Sequence, residues 1–253
     1  MSPRVGVILP AAGRSARFGG SGPKKPFALL GGKAVWLHAA ERFLERPEVV
    51  AVTVVIAPED REFFLEKFGG QLAMKGVSVA IGGAERSDSV KSGLATLLAE
   101  ADFVAIHDAA RPCVDSSTID RTFQAAFSTG AAIAAVPSTS TLKRANRTGR
   151  DQPQTIATTL PRDDVWLAQT PQVFRRDWYE EALNRYGHER VTDDAQWLER
   201  LGKPVALVRG SDLNLKITTQ DDLILAEAIV QKVQAREKRR AFHPFKDDLG
   251  NEL

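Results

Sequence analysis

The stretch VGVILPAAG, residues 5–13, decides how this sequence folds. An apolar run from Val5 to Leu9 is closed by Pro10, and small residues then lead into a loop. A short apolar run that ends at proline and glycine is typical of a buried parallel strand. The stretch therefore predicts the first strand of a parallel sheet, with a loop directly at its carboxyl end.

Similar apolar runs recur along the chain and alternate with segments of helical spacing. Further strands are predicted at residues 49–57, 77–81, 103–107, 131–136 and 205–209. Helices are predicted at residues 33–46, 60–68, 88–99, 116–128, 176–186, 193–201 and 219–235. This alternation predicts an α/β fold with a mostly parallel sheet and helices on both faces.

Residues 138–168 interrupt the alternation, because they are polar and show no long helical period. A structureless loop of that length is unusual inside a compact domain, so we predict a β-ribbon arm that projects from it. A single domain would then cover residues 1–235, arm included. Residues 236–253 are charged and poor in apolar side chains, and we expect a disordered or loosely docked tail.

The overall composition argues against nucleic acid and membrane as partners. The 253 residues carry 34 basic and 32 acidic side chains, a formal charge of +2, which is too even for binding of nucleic acid by bulk charge. No run approaches the roughly 20 apolar residues that span a bilayer. The one cysteine, Cys113, allows no intrachain disulfide and indicates a reducing compartment. We therefore expect a cytoplasmic protein.

The loop after the first strand has features of a phosphate-binding segment. The small residues 11–13 allow close approach of a ligand to the backbone, and Arg17 and Lys25 add two cations. The loop lacks the glycine spacing of a dinucleotide fingerprint. It also fails the Walker A pattern, because Pro23 precedes Lys24 where that motif has glycine.

The segment GGAERSDSV, residues 82–90, joins a predicted strand to a predicted helix. A turn followed by a helix cap explains Ser87 and Asp88. It does not explain Arg86 and Ser89 beside two glycines, where a flat base could lie against bare backbone. Both interpretations stay open at this point.

The segment HDAARP, residues 107–112, follows another apolar strand. Open α/β sheets bind ligands beyond the carboxyl ends of their strands, and an aspartate there can hold Mg²⁺ together with substrate phosphates. With Arg111 three residues after Asp108, a ligand site and a simple turn explain the pattern equally well.

Three further polar segments are by themselves typical of solvated surface. TSTLKR at residues 139–144 begins the predicted arm, and Arg162 and AQTPQ at residues 168–172 lie at its end. NLKIT at residues 214–218 predicts a short strand with a single lysine, Lys216.

Together and in this order, these segments resemble the 2-C-methyl-D-erythritol 4-phosphate cytidylyltransferase family of the non-mevalonate isoprenoid pathway. The resemblance runs from about residue 5 to residue 235 and is most specific in GGAERSDSV, HDAARP, TLKRA, AQTPQVF, VTDDA and NLKIT. It implies a Rossmann-like nucleotidyltransferase fold with a projecting β-arm and a homodimer whose arms interlock. It also implies CTP and a small phosphorylated polyol as substrates, with Mg²⁺ as cofactor.

The resemblance implies roles for individual residues as well. The implied catalytic cations are Arg17, Lys25 and Lys216. The implied CTP-binding residues are Pro10, Ala11, Ala12, Gly13, Gly82, Gly83, Ala84, Ser89 and Ala109. The implied contacts of the phosphorylated acceptor are Arg111, Thr141, Arg162 and Thr170. Asp108 is implied as the Mg²⁺ ligand.

One departure from the family concerns the lysine of the first loop. The sequence has Lys24 and Lys25 where the family usually has one lysine after the proline. Counting back from Phe27 and Gly31 selects Lys25, and counting forward from Gly13 selects Lys24. We favour Lys25, because the following helix fixes its register, and keep Lys24 as the alternative.

The implied reaction needs charge stabilisation more than proton transfer. A phosphate monoester has its second pKa near 6 and is largely dianionic at neutral pH, so its oxygen can attack without a general base. His107 is then expected to be a structural residue. The alternatives are a cytidylyltransferase for ribitol 5-phosphate, a transferase for a purine triphosphate or a sugar 1-phosphate, and a nucleotide-binding protein without catalysis.

Overall fold

The computed structural model describes residues 2–13, 24–146 and 154–242, with the backbone alone at residues 233–242. The strands of the main sheet are β1 Val5–Pro10, β4 Val49–Ile56, β5 Val77–Ile81, β6 Phe103–Ile106, β7 Ala131–Pro137, β10 Trp166–Arg175 and β11 Ala206–Arg209. Two small antiparallel sheets contain β2 Leu29–Leu30 with β3 Lys33–Ala34, and β8 Leu142–Ala145 with β9 Ile156–Leu160. The helices are α1 Val35–Leu44, α2 Arg61–Lys75, α3 Arg86–Leu94, α4 Ser116–Thr129, α5 Arg176–Tyr186, α6 Ala195–Arg200 and α7 Gln220–Phe242. Short 3₁₀ turns cover Lys25–Phe27 and Pro58–Asp60.

The main sheet has seven strands in the order β11-β7-β10-β6-β1-β4-β5. Only β10 runs antiparallel to its neighbours, β6 and β7. The other strand pairs are parallel, so their carboxyl ends lie along one edge of the sheet. This confirms the predicted α/β fold with a mostly parallel sheet.

Alternating side chains of β1 supply a separate core on each face of the sheet. Val7 and Leu9 belong to one core and Ile8 to the other, as expected for successive residues of a strand. Large side chains of α1, α2 and α4 fill the first core: Trp36, Phe64 and Phe123. Side chains of α3, α5 and α6 fill the second: Val90, Tyr179 and Trp197. Each large apolar side chain buried in this way contributes about 1.5–3 kcal/mol, which fixes the helices to the sheet.

The close approach of α3 to the sheet depends on Gly93. A Cβ atom at this position would lie 2.8 Å from the Cγ2 of Ile8, nearer than packed atoms allow. Because glycine removes this clash, α3 lies directly on β1, and its first turn reaches the carboxyl edge of the sheet.

Two helices extend beyond their predicted ends. Helix α2 continues past residue 68 because Leu72 prolongs the buried face of Phe64 and Phe68. It ends where Gly76 adopts the left-handed conformation, with φ of 64°. Helix α7 continues past residue 235 to Phe242, because the charged residues there are good helix formers although they are not apolar.

The strand β10 was not predicted, and its first residues fall inside the predicted arm. Trp166 pairs with Pro137 of β7, so the residues from Trp166 onward belong to the main sheet. The hairpin of β8 and β9 occupies the rest of that range, and residues 147–153 between its strands lie outside the described residues. The Ser138 backbone N–H donates to the Val165 carbonyl at 2.8 Å and closes the base of the hairpin. That the hairpin projects as an arm stays a prediction.

The predicted strand at residues 214–218 is wrong. This segment is a loop, and the backbone N–H of Ile217 donates to the carbonyl of Ala110 at 2.8 Å. Its backbone therefore bonds to the loop after β6 and not to a neighbouring strand.

Within the described part of the chain, no helix is long and apolar enough to cross a lipid bilayer.

Candidate active site

The loops after β1 and β5 meet at the carboxyl edge of the sheet. The Ala11 backbone N–H donates to the Val55 carbonyl at 2.7 Å, and the Gly82 N–H donates to the Ile56 carbonyl at 2.7 Å. A Cβ atom at Gly82 would lie 2.6 Å from the Oγ of Ser89 and 3.0 Å from the Cβ of Ala12. The structure thus brings Ala12, Gly82 and Ser89 together, three of the predicted CTP-binding residues. Only glycine fits at position 82, between the side chains of the other two.

The first turn of α3 is capped by its own side chains. Glu85 is the N-cap, and Asp88 accepts the Glu85 backbone N–H at 3.2 Å in a capping box. Asp88 is therefore a capping residue, as the simpler interpretation proposed. Gly83 and Ala84 are exposed beside it, whereas Ser89 is buried and its hydroxyl donates to the Glu85 carbonyl at 3.3 Å.

Asp108 lies two residues after β6, at the centre of a cluster of cations. Its Oδ2 is 2.8 Å from the Nζ of Lys216 and 3.5 Å from the Nε of Arg111. Its Oδ1 is 3.9 Å from the Nη1 of Arg86. Burial raises the pKa of Asp108, but the charge of Lys216 and those of the two arginines outweigh it and hold the pKa well below its usual range. The carboxylate is therefore ionised at neutral pH.

The loop after β6 is fixed by Thr170 and His107. The Thr170 hydroxyl accepts the Asp108 backbone N–H at 3.1 Å and contacts the Nδ1 of His107 at 3.0 Å. The Nε2 of His107 lies 3.1 Å from the Arg111 carbonyl, which can only accept, so Nε2 carries the proton. Nδ1 then accepts from the Thr170 hydroxyl. Burial lowers the pKa of His107 to about 4, so the ring is neutral at pH 7, in line with a structural role.

Thr170 reaches Asp108 because β10 is irregular at this point. Ala168 pairs with Ala135 of β7 and Gln172 pairs with Ile133, so residues 169–171 lie opposite the single residue Ala134. This extra length bulges toward the loop after β6.

The loop that carries Lys216 is held on both sides. The Asn214 side-chain amide donates to the Thr170 carbonyl at 2.8 Å, and the Nη1 of Arg111 donates to the Asn214 carbonyl at 2.7 Å. With the Ile217 contact to Ala110, these bonds fix the loop backbone. The Lys216 side chain is 45% exposed, so it can reach a ligand at the mouth of the site.

Two predicted acceptor contacts, Thr141 and Arg162, lie beside the strands of the hairpin. Thr141 is exposed directly before β8, and Arg162 is exposed after β9. The Nη1 of Arg162 donates to the Thr139 carbonyl, which places both residues at the base of the hairpin. Arg111 and Thr170, by contrast, contact Asp108 and His107 directly. Ala109 is fully buried in the same loop.

The first of the two lysines in the first loop forms ion pairs with acidic residues before α2. The Nζ of Lys24 is 2.7 Å from the Oδ2 of Asp60 and 2.9 Å from the Oε1 of Glu59, at the start of α2. This pairing explains Lys24 as a residue that fastens the loop to α2. Lys25 begins the 3₁₀ turn Lys25–Phe27. Arg17 lies outside the described residues.

Asp194 belongs to this cluster, although no role for it is predicted from the sequence. It is fully buried, and both its neighbour Asp193 and its place before α6 suggest an ordinary helix cap. In the structure it contacts Arg86 instead. Two adjacent aspartates do not indicate that one of them is buried. The VTDDA segment that contains them is nevertheless among the most specific parts of the family resemblance.

The cluster is suited to a metal that is shared with a substrate. Across residues 2–13, 24–146 and 154–232, no three His, Cys, Asp or Glu side chains converge in a way that could hold an ion. Asp108 presents one ionised carboxylate beside cations that suit phosphate groups. This arrangement fits Mg²⁺, which is often bound by one or two carboxylates together with substrate phosphates.

Comparison with known protein families and sequences identifies relatives of this chain. The family model described as 2-C-methyl-D-erythritol 4-phosphate cytidylyltransferase matches residues 5–232. A protein of that name from Syntrophus aciditrophicus is 40% identical, over 93% of this chain and 100% of its own length. Another from Rhodopirellula baltica is 41% identical, over 91% of this chain and 96% of its own length.

Solved structures agree with the sequence comparisons. A crystal structure of 4-diphosphocytidyl-2C-methyl-D-erythritol synthase is 32% identical with a TM-score of 0.74, and the match covers 91% of this chain and 100% of that one. The 2-C-methyl-D-erythritol 4-phosphate cytidylyltransferase of Francisella tularensis is 31% identical with a TM-score of 0.72, over 89% of this chain and 99% of that one.

Proposed function

Because the chain belongs to the 2-C-methyl-D-erythritol 4-phosphate cytidylyltransferase family, we propose that it transfers CMP from CTP to 2-C-methyl-D-erythritol 4-phosphate. The products are 4-diphosphocytidyl-2-C-methyl-D-erythritol and pyrophosphate. The observation that carries the proposal is the cluster of three cations around Asp108.

The transfer is an in-line substitution at the α-phosphorus of CTP. An oxygen of the acceptor phosphate forms a bond to this phosphorus while the bond to the bridging oxygen of the β-phosphate breaks, and pyrophosphate leaves. The acceptor phosphate is already largely dianionic at pH 7, so no base is needed. This agrees with the neutral, enclosed state of His107.

The side chains of the site supply positive charge where negative charge gathers. Lys216, Lys25 and Arg17 are proposed to neutralise the triphosphate and the developing charge on the leaving group. The loops at residues 10–13 and 82–84, with Ser89 and Ala109, are proposed to hold the nucleotide. Asp108 would hold Mg²⁺, which supplies further charge neutralisation when bound.

The acceptor is proposed to bind between the cluster and the base of the hairpin. Arg111 and Thr170 would contact it from the sheet, and Thr141 and Arg162 from the hairpin. Since the two hairpin residues are exposed, we propose a homodimer in which the hairpin of one copy completes the site of the other.

The dimer can be tested by mixing two impaired variants, Lys216→Ala and Arg162→Ala, at an acceptor concentration well below KM, where both are slow. Shared sites predict that mixed dimers regain one intact site and therefore activity. No recovery after verified subunit exchange would contradict sharing.

A cytoplasmic location is part of the same proposal, and it suits the Cys113 thiol, whose pKa burial raises to about 11.

The activity itself is tested by incubating the protein with CTP, Mg²⁺ and 2-C-methyl-D-erythritol 4-phosphate, followed by mass analysis of the product. Ribitol 5-phosphate as acceptor and the other three triphosphates as donors serve as parallel reactions. We expect one nucleotidyl product and pyrophosphate from CTP and the methylerythritol acceptor. Binding of CTP without release of pyrophosphate would identify a nucleotide-binding protein instead.

A further inference from the structure

The segment VTDDA, residues 191–195, supplies a buried carboxylate that the mechanism above does not use. The side chain of Asp194 is 0% exposed. Its Oδ1 accepts the hydroxyl of Tyr179 at 2.7 Å, and its Oδ2 accepts the Nε of Arg86 at 3.2 Å and also Nη2 of the same side chain. The side-chain oxygen of Gln172 accepts the Asp194 backbone N–H at 3.1 Å. Asp194 is thus fixed through both its side chain and its backbone.

Arg86 links this carboxylate to the candidate active site. Two nitrogens of its planar guanidinium bind Asp194, and the third, Nη1, faces the Oδ1 of Asp108 at 3.9 Å. The charge of Asp194 raises the pKa of Arg86, so the guanidinium keeps its charge. Because both of these nitrogens donate to the same oxygen, Oδ2 of Asp194, the contact also fixes the orientation of the planar guanidinium, which a lysine could not do.

The three cations around Asp108 differ in their freedom to move. Arg86 is bound by Asp194, and Arg111 is bound by the Asn214 carbonyl. Lys216 has the shortest contact with Asp108, but its side chain is 45% exposed against 28% for Arg86. When Lys216 turns toward a bound triphosphate, Asp108 loses its nearest partner. The arginines then keep the carboxylate in place.

We propose that Arg86 is a positioning residue that acts through Asp108, with Asp194 as its anchor. Arg86 directs the Oδ1 of Asp108 into the site while Lys216 and Arg111 face Oδ2. The proposal rests on the proposed function, because it assumes that Asp108 meets the metal-bound triphosphate of CTP. A buried ion pair contributes little net stability by itself, so a purely structural role does not explain why this pair faces Asp108.

The test is the affinity for CTP without acceptor, measured by titration calorimetry in Mg²⁺ and again in EDTA. Arg86→Gln and Asp194→Asn are each expected to weaken CTP binding in Mg²⁺ about tenfold, the usual cost of losing a group that orients a ligand of a metal. Binding in EDTA is expected to change little, because Asp108 then contributes no attraction. Arg86→Lys keeps the charge without the two hydrogen bonds to Oδ2 of Asp194 and should lie between wild type and Arg86→Gln.

Two controls separate this role from others. Tyr179→Phe removes a hydrogen bond from Asp194 and leaves its ion pair, so it should lower the melting temperature without the Mg²⁺-specific loss. In an Asp108→Asn background, Arg86→Gln should have no further effect on binding in Mg²⁺. Equal losses in Mg²⁺ and EDTA would mean that Arg86 contacts the phosphates directly and would overturn the proposal. Lowered stability with unchanged affinity in both conditions would also overturn it.

A failure of the proposed function is recognised separately. If wild-type protein bound CTP but released no pyrophosphate with any acceptor, the proposed transfer of CMP would be wrong. The affinity of the Arg86 variants for CTP would still decide the positioning role.

Discussion

The Asp108 cluster and the β8–β9 hairpin carry the two halves of the proposed site, and they are built differently. Asp108 is buried, and each of its partners is held by further contacts or lies on a fixed loop. Thr141 and Arg162 are exposed, and Arg162 bonds to the backbone of its own hairpin. The nucleotide half is therefore preorganised within one chain. The acceptor half depends on what meets the hairpin.

This difference follows from what each half has to do. Charges that stabilise a transition state act best when they are fixed before the reaction, because no reorganisation is then needed. A contact for a small acceptor can form later, when ligand or partner arrives. Substitutions in the cluster should therefore change the catalytic rate, and substitutions in the hairpin should change the binding of the acceptor.

The largest effect is expected for Lys25→Ala. We expect kcat to fall about a hundredfold or more, the scale for losing one preorganised charge stabiliser. Lys24→Ala is the matched control. It should lower stability slightly through the lost pairs with Glu59 and Asp60 and leave kcat nearly unchanged. Steady-state release of pyrophosphate measures both, and a larger kcat loss in Lys24→Ala would reverse the assignment of the two lysines.

Lys216→Ala is expected to lower kcat about a hundredfold for the same reason. Lys143 is a suitable control, since it is an exposed lysine on the hairpin that donates to the Thr159 hydroxyl at 2.7 Å. Lys143→Ala should keep wild-type kcat. If both variants lost the same activity, the contrast between cluster and hairpin would be wrong.

Acid should lower the free energy of unfolding of the protein through His107. Its pKa is about 4 in the folded protein and near its ordinary 6.5 in the unfolded chain, so the unfolded chain binds more protons between these values. Stability therefore falls as the pH drops from 6.5 toward 4, by about 2 kcal/mol at pH 5. Asp108 works in the same sense but at lower pH, because its pKa is also lowered in the folded protein and the stability that it contributes is lost only as the carboxylate is protonated.

The measurement is the denaturant midpoint at pH 7 and pH 5, in wild type and His107→Gln. The variant should be less stable at pH 7 and show a smaller further loss at pH 5. Arg162→Ala on the hairpin should keep the wild-type pH dependence. If the stability of His107→Gln fell between pH 7 and pH 5 as much as that of the wild type, the acid sensitivity would come from other groups.

Arg162→Ala is expected to have the smallest effect and to act on the acceptor. Loss of a hydrogen bond to a charged phosphate should raise the acceptor KM about tenfold. Arg144→Ala, an exposed arginine on the same hairpin, should leave KM unchanged. A fall in kcat with constant acceptor KM would place Arg162 with the catalytic cations.

The sequence predicted the parts of the fold that depend on local pattern. Buried strands and their loops follow from apolar runs closed by Pro10 or Gly82, and the parallel sheet follows from their alternation with helices. The strand β10 was missed because AQTPQ has no alternation of apolar and polar residues, and its bulge is set by neighbouring strands. NLKIT looked like a strand by composition, but its pairing partner is a loop.

The site was predictable where a residue is marked by its own segment. Asp108, Thr170 and Lys216 lie within recognisable segments, and the structure brings them together. The Arg86–Asp194 pair joins positions 108 residues apart, and no local pattern announces such a contact.

The most direct test of the two-part site is the affinity of CTP, with Mg²⁺ present, for Lys216→Ala and for Arg162→Ala. A nucleotide half that is complete in one chain predicts about tenfold or weaker binding to Lys216→Ala and wild-type binding to Arg162→Ala. If Arg162→Ala weakened CTP binding as much as Lys216→Ala, the nucleotide would require the hairpin, and the division into two halves would be contradicted.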